Sequence, residues 1–281
     1  MKTYLDCLPC MMTQALRTGR IATDNEEIIK KILDEVGSSI KNVPMHNTPA
    51  QTGAIVYHIV KEITGVVDPY KQIKAESIAE ALELYPKLEA YISNADDKLL
   101  TAIRIAIAGN VVDFGINKKY DLEPELHKIM DQEFGIFDYS KFKEELSRAK
   151  SVLYIGDNAG ESVFDKILIE QLSVPVTYVV RGIPIINDVT VEDAIDSGIE
   201  KVAEIISSGT TAPGTIMELC TNNFVEKFEN ADMIISKGQG NYEGLSNVNR
   251  QVFFLLKAKC HIIAKHLNVV EDDIVLKASK V

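Results

Sequence analysis

The residues able to do chemistry gather in three short stretches of the C-terminal half. The first reads Gly156-Asp157-Asn158-Ala159-Gly160-Glu161. It follows the apolar, β-prone run Val152-Leu153-Tyr154-Ile155 and precedes Val163, Phe164, Ile167 and Leu168 at helical spacing. Asp157 and Asn158 are therefore expected at the carboxyl end of a strand, where a helix begins, which is where open α/β sheets bind ligands. A carboxylate is a hard oxygen ligand for a cation, and Asn offers a neutral carbonyl oxygen beside it. Gly, Asp and Asn are also ordinary turn residues, so this stretch alone reads equally as a turn or as a binding site.

The second stretch, Arg181-Gly182-Ile183-Pro184-Ile185-Ile186-Asn187-Asp188-Val189-Thr190, leaves an expected strand over Val176–Val180. Thr190 and Asp193 have capping-box spacing for a short helix. Asn187 and Asp188 are not needed for that cap, and they repeat the Asp–Asn chemistry at a second strand end. The third stretch, Lys237-Gly238-Gln239-Gly240-Asn241-Tyr242-Glu243, follows Met233-Ile234-Ile235-Ser236. Its glycines let backbone approach an anion, and Lys237 brings a positive charge. The Walker A order is absent, and a tight strand-to-helix turn is the plain alternative. Parallel strands bring all three loops to one sheet edge, collecting Asp157, Asn158, Asp188 and Lys237. Two carboxylates and an amide oxygen suit a divalent cation. A lysine with a glycine-rich loop suits a phosphate against it. A metal polarising a phosphoryl oxygen, with a lysine sharing the charge, is phosphoryl-transfer chemistry.

The elements that must position these residues follow from periodicity. Strands are expected at 151–155, 175–180, 201–206, 232–235, 251–256 and 274–276, and helices around 160–171, 191–197, 215–228 and 261–267. Apolar strands alternating with helices predict a mainly parallel sheet covered on both faces. Residues 20 to about 145 read instead as helices. Thr23 and Glu26 form a capping-box pair before Ile28, Ile32 and Val36, with Gly37 as the stop. Thr48-Pro49-Ala50-Gln51 is a second capped start, Asp68-Pro69-Tyr70 breaks the chain, and the pattern restarts at Pro86. Asp96 or Asp97 caps a helix reaching Ile107, beyond which Asn110 and Asp113 share a face if the helix persists. They either cap that helix or point into a cleft. The pattern switches near Ser151, so we expect a helical domain over 1–148 and an α/β domain over 149–281 that carries the site.

In Cys7-Leu-Pro-Cys10, Pro9 suits the first position of a helix running to about Arg20, which puts both cysteines at a helix N-terminus. Structural thiols, a metal half-site and a redox-sensitive pair all remain open readings. A four-cysteine zinc site would need a second close pair, whereas Cys220 and Cys260 are isolated and distant, and no strand precedes the first pair as a thioredoxin-like motif requires. With 46% hydrophobic residues the 281-residue chain can bury a proper core. Its net charge of -11 argues against nonspecific binding to nucleic acid or to an anionic membrane. Four cysteines, no secretory pattern at the start and no run of transmembrane length lead us to expect a reducing, cytoplasmic setting.

Taken together, Gly-Asp-Asn-Ala-Gly-Glu, Arg-Gly-x-Pro-x-x-Asn-Asp-Val-Thr and Lys-Gly-Gln-Gly-Asn-Tyr-Glu resemble the DUF89 family of metal-dependent damage-control phosphatases. The early Cys-x-x-Cys and Gly109-Asn110-x-x-Asp113-x-Gly115 resemble its compact stand-alone microbial branch. The resemblance spans nearly the whole chain. It implies a helical N-terminal part beside a Rossmann-like α/β part, with a metal in the cleft between them. It also implies hydrolysis of small phosphorylated metabolites with one divalent ion: manganese, cobalt, nickel or magnesium. Matched residue by residue, it implies Asp157, Asn158 and Asp188 as metal ligands and Lys237 on the phosphate side. Asp157, Asp188 and Lys237 are then the expected catalytic residues. Arg181, Gly238, Gln239, Gly240 and Asn241 are expected at the phosphate, and Asn110 and Asp113 at the rest of the substrate. The chain has Asn187-Asp188 where some relatives have Ser-Asp.

Two other readings share some of these features. A strand followed by Gly-Asp-Asn-Ala-Gly is loosely like the nucleotide turn of an S-adenosylmethionine methyltransferase, although Asn158 and Ala159 stand where that turn needs glycine. A non-catalytic protein holding a metal-bound phosphometabolite would need the same ligands. A haloacid-dehalogenase phosphatase is excluded, because its Asp-x-Asp would need an acid where Ala159 stands.

Overall fold

The computed structural model describes residues 1–111 and 128–279, the side chains of Asn110 and Val111 apart. The β-branched and aromatic runs form β1 (Phe134–Phe137), β2 (Val152–Ile155), β3 (Val176–Val180), β4 (Glu204–Ser207), β5 (Met233–Lys237), β6 (Phe253–Lys257) and β7 (Ile274–Ala278). They make one sheet in the order β1-β7-β6-β5-β2-β3-β4, parallel except for the antiparallel β6–β7 pair. Every residue of the central strands β2 and β5 is buried. That follows from their unbroken apolar runs, because a strand covered on both faces has no polar side to alternate with.

Side chains of β2 alternate between two cores. Val152 and Tyr154 join α4 (Lys71–Ser93), α5 (Lys98–Val111), α6 (Tyr139–Arg148) and α7 (Glu161–Ile169) on one face. Leu153 and Ile155 join α9 (Asn222–Asn230), α10 (Gly238–Leu245) and α11 (His261–Leu267) on the other. The first three helices, α1 (Cys7–Ala22), α2 (Glu26–Ile40) and α3 (Pro49–Thr64), bury Met11, Ala15, Ile32, Val36, Val56 and Val60 in a cluster of their own. A short α8 (Val191–Asp196) follows β3. It starts from the Thr190–Asp193 capping box, in which the Thr190 amide and hydroxyl donate to Asp193 Oδ2 at 2.9 and 2.6 Å.

Several local expectations are corrected. Asn25, not Thr23, caps α2, its Oδ1 accepting from Glu27 N at 2.9 Å and Ile28 N at 3.3 Å. Gly37 does not stop that helix, which runs on to Ile40. Pro86 lies inside α4 rather than starting a new helix. The helix expected over 215–228 begins only at Asn222, capped by Thr221. Strand β1 falls in a segment read as helical; it is four residues long, pairs only with β7, and is too short to show a period. β1 enters the sheet, and α4 and α5 share its core. The Thr48–Gln51 capping box and the Asp97 cap on Leu100 N form as expected.

Candidate metal and phosphate site

The first two motifs are stitched together by backbone hydrogen bonds. Val189 N donates to Asp157 O, and Ala159 N to Asn187 O, both at 2.8 Å. Asn158 and Asp188 form an isolated antiparallel bridge. Asp157, Asn158 and Asp188 thus stand together at the carboxyl ends of β2 and β3. Ile186, just before Asn187-Asp188, is held at φ 45. A β-branched residue there carries strain, which structures keep where a site dictates the backbone.

The third motif closes against the first. Asn241 is fully buried, and its Nδ2 donates to Gly156 O at 2.9 Å and Lys237 O at 2.8 Å, while its Oδ1 accepts from Thr215 Oγ1 at 2.8 Å. Its amide is therefore spent as a clamp between loops, which corrects the expected substrate contact. Gly240 packs on the backbone of Pro213 and Gly214. Gln239 turns away, donating to Glu243 Oε1 at 3.0 Å and to Cys260 Sγ at 3.7 Å. Gly238 borders the Asp157 carboxylate. Its φ is 76, and a Cβ there would overlap the Asp157 carboxylate. Rather than forming an open loop, residues 238–245 are the helix α10. We expect Gly238→Ala to cost about 1–2 kcal/mol from the left-handed backbone alone. By displacing Asp157 it should also lower kcat roughly 10–100-fold, the scale of a disturbed ligand support. Steady-state kinetics with a melting curve checks both, and an unchanged kcat would mean that Asp157 is not where the reaction occurs.

Lys237 also needs correcting. Its side chain is fully buried, and its ammonium donates to Ala106 O at 2.7 Å, Glu161 Oε1 at 2.5 Å and Asp165 Oδ1 at 2.5 Å. Three protons meet three acceptors, so none is left for a phosphate oxygen. Burial would lower its pKa, but Asp165 and Glu161 hold it above the ordinary lysine value. The cation beside Asp157 and Asp188 is Arg181. It too is buried, with Nε donating to Asp188 Oδ2 at 2.5 Å and Nη2 to Asp157 Oδ1 at 3.3 Å. Its Nη1 is buried without a hydrogen-bond partner among the described residues.

Glu161 and Asp165 are buried acids beside the site to which the sequence reading gave no role. They are four apart on α7 and face the same way, although Val163, Phe164, Ile167 and Leu168 make that helix look wholly apolar. An acid pair at that spacing inside a buried helix was the available signal. Asp165 also accepts from the Tyr154 hydroxyl at Oδ1, 2.7 Å, and from the Tyr178 hydroxyl at Oδ2, 2.8 Å. Burial raises Asp165 to about 6 even with Lys237 pulling it down. Burial, then the charges of Asp188 and Glu161, push Asp157 up to about 8. Asp188 is also raised by burial, against the pull of Arg181.

Asn110 and Asp113 lie outside what the structure describes: the side chain of the first and the whole of the second. Two cavities flank the second motif. One of about 360 Å³ is lined by Tyr57, Tyr70, Ile185 and Ile186, and one of about 290 Å³ by Lys71, Lys74 and Arg181.

A family model described as the damage-control phosphatase ARMT1-like domain matches residues 3–275. A damage-control phosphatase of Pyrococcus horikoshii is 36% identical, with 100% of this chain and 99% of the relative covered. One of Archaeoglobus fulgidus is 33% identical, with 96% and 97% covered. The crystal structure of a DUF89 family protein from Pyrococcus horikoshii superposes with a TM-score of 0.92 at 35% identity, over 100% of both chains.

Proposed function

This chain belongs to the ARMT1-like, or DUF89, family of damage-control phosphatases, and we propose that it hydrolyses small phosphorylated metabolites with one divalent ion held by Asp157, Asn158 and Asp188. The observation that supports this best is a charge balance. Four buried carboxylates, Asp157, Glu161, Asp165 and Asp188, face two buried cations, Arg181 and Lys237. With all four ionised, as a bound cation would favour against the upward shifts that burial imposes, four negative less two positive leaves two, the charge of one divalent cation. Among the described residues no three His, Cys, Asp or Glu side chains form a ready metal cage. The set on offer is two carboxylates and the carboxamide of Asn158, a hard oxygen set that fits manganese, magnesium, cobalt or nickel with water completing the shell. Such an ion, when bound, polarises a phosphoryl oxygen and activates water.

The chain's own residues do the positioning. Asp157 and Asp188 are fixed by the two backbone bonds between their loops, so little reorganisation accompanies binding. Arg181 neutralises both carboxylates from behind, and its unused Nη1 is the donor we assign to a phosphate oxygen, the role first expected of Lys237. Lys237 acts indirectly, holding α7 against β5 through Glu161 and Asp165. The substrate is a small phosphorylated molecule. With a net charge of -11 we assign no nucleic-acid partner. Among the described residues no helix is long and apolar enough to cross a membrane, and we assign the protein to the cytoplasm.

Chelation is the direct test. Protein stripped of metal should not hydrolyse p-nitrophenyl phosphate or any member of a phosphometabolite panel. Adding back manganese, cobalt, nickel or magnesium should restore turnover. Hydrolysis that survives stripping would overturn the metal reading. Tight binding of a phosphometabolite without turnover under any metal would favour a binding protein.

A further inference from the structure

The N-terminal cysteine pair takes no part in the site above. In the fold it lines a second cavity, of about 190 Å³, between α1, α3 and the loop entering α11. Cys7 and Cys10 sit one helical turn apart at the start of α1, so both thiols address the same side. Cys260, about 250 positions away in sequence, caps α11 and lines the same cavity, as do Glu243 and His261. Cys220 is not among the residues lining it, and burial pushes its thiol up to about 12. All four cysteines are free thiols.

We infer that Cys7, Cys10 and Cys260 form a second metal site, for a thiophilic divalent cation of the zinc class, with Glu243 or His261 closing the coordination. Three thiolates with one further N or O ligand are a common tetrahedral zinc set, and soft sulfur selects such ions over the hard-oxygen site at Asp157 and Asp188. Burial holds the Cys7 and Cys10 thiols above the ordinary cysteine value, so a bound cation must supply the charge that makes them thiolates. Gln239 supplies an outer support. It donates to Cys260 Sγ at 3.7 Å and Glu243 Oε1 at 3.0 Å, while its Oε1 accepts from Lys259 N at 3.2 Å. The side chains are not yet gathered to a coordination geometry, so binding requires rotation of the thiols, of which Cys10 is exposed. Such a site ties the first helix to the end of the chain. Through Gln239 it adjoins Gly238, which borders Asp157.

Cobalt titration of the full-length, reduced protein tests this separately from hydrolysis. Wild type and Asp157→Asn should both develop the near-ultraviolet thiolate-to-cobalt charge-transfer band and the visible bands of a tetrahedral site. Zinc should displace the cobalt and bleach them. Cys260→Ser should weaken cobalt binding about tenfold or more, as should Cys10→Ser, whose exposed position spares the fold. Absence of the band in protein whose thiols all titrate as free would overturn the site. So would a band that Cys260→Ser leaves unchanged, or a Cys10–Cys260 disulfide that forms in air equally fast with zinc present. Loss of phosphatase activity in Asp157→Asn has no bearing on this result.

Discussion

Asp157→Asn will lower kcat for phosphomonoester hydrolysis by at least about 10³-fold, the upper end of losing one electrostatic stabiliser in a water-poor site. The melting temperature will stay the same or rise. Asparagine keeps the shape of the side chain, and the Val189–Asp157 backbone bond does not depend on it. What is lost is one charge of the two that hold the cation. The native carboxylate is costly to the metal-free fold: burial, with Asp188 and Glu161 nearby, pushes Asp157 up to about 8. Neutralising it removes that cost, as expected where a site is maintained for function against stability. Kinetics over a metal series with a melting curve decides the matter. Full activity in Asp157→Asn would remove the residue from the reaction. A large drop in melting temperature would make it a structural acid instead.

Lys237→Met should act in the opposite way, on stability first. Methionine fills similar space but leaves Glu161 and Asp165 buried without their cation. Breaking a buried ion pair by removing one partner costs about 3–5 kcal/mol, and a chain of this size should then melt roughly 6–15 °C lower. Adding Asp165→Asn to Lys237→Met should recover part of that loss, because the two act as one unit. If Lys237→Met melts like wild type but loses turnover, the ammonium does reach the phosphate, and the buried-counterion role is wrong.

The parts of the site that the sequence showed are those that local chemistry controls. Apolar runs marked β2, β3 and β5, and Asp157, Asn158 and Asp188 follow two of their ends because parallel strands put such loops on one edge. The capping boxes at Thr48 and Thr190 were legible because a cap is complete within four residues. The glycine-rich stretch was visible but read too generously. Gly238 needs its left-handed backbone beside a carboxylate, and from there on the stretch is the helix α10.

By itself, then, the sequence determined the alternation of strands and helices, the loops that bear acids and amides, and the family. Only the tertiary structure decided which charge meets which. Lys237 looks like a free cation until α7 and α5 bring Glu161, Asp165 and Ala106 O onto its ammonium, the last from 131 positions away. Arg181 meets Asp157 and Asp188 for the same reason, and Cys260 comes to line one cavity with Cys7 and Cys10 from almost the other end of the chain. The physical cause is common to all three. Periodicity records whether a side chain is buried, whereas a buried charge or thiol takes its role from the partners that packing supplies, and those partners leave no mark in the local pattern.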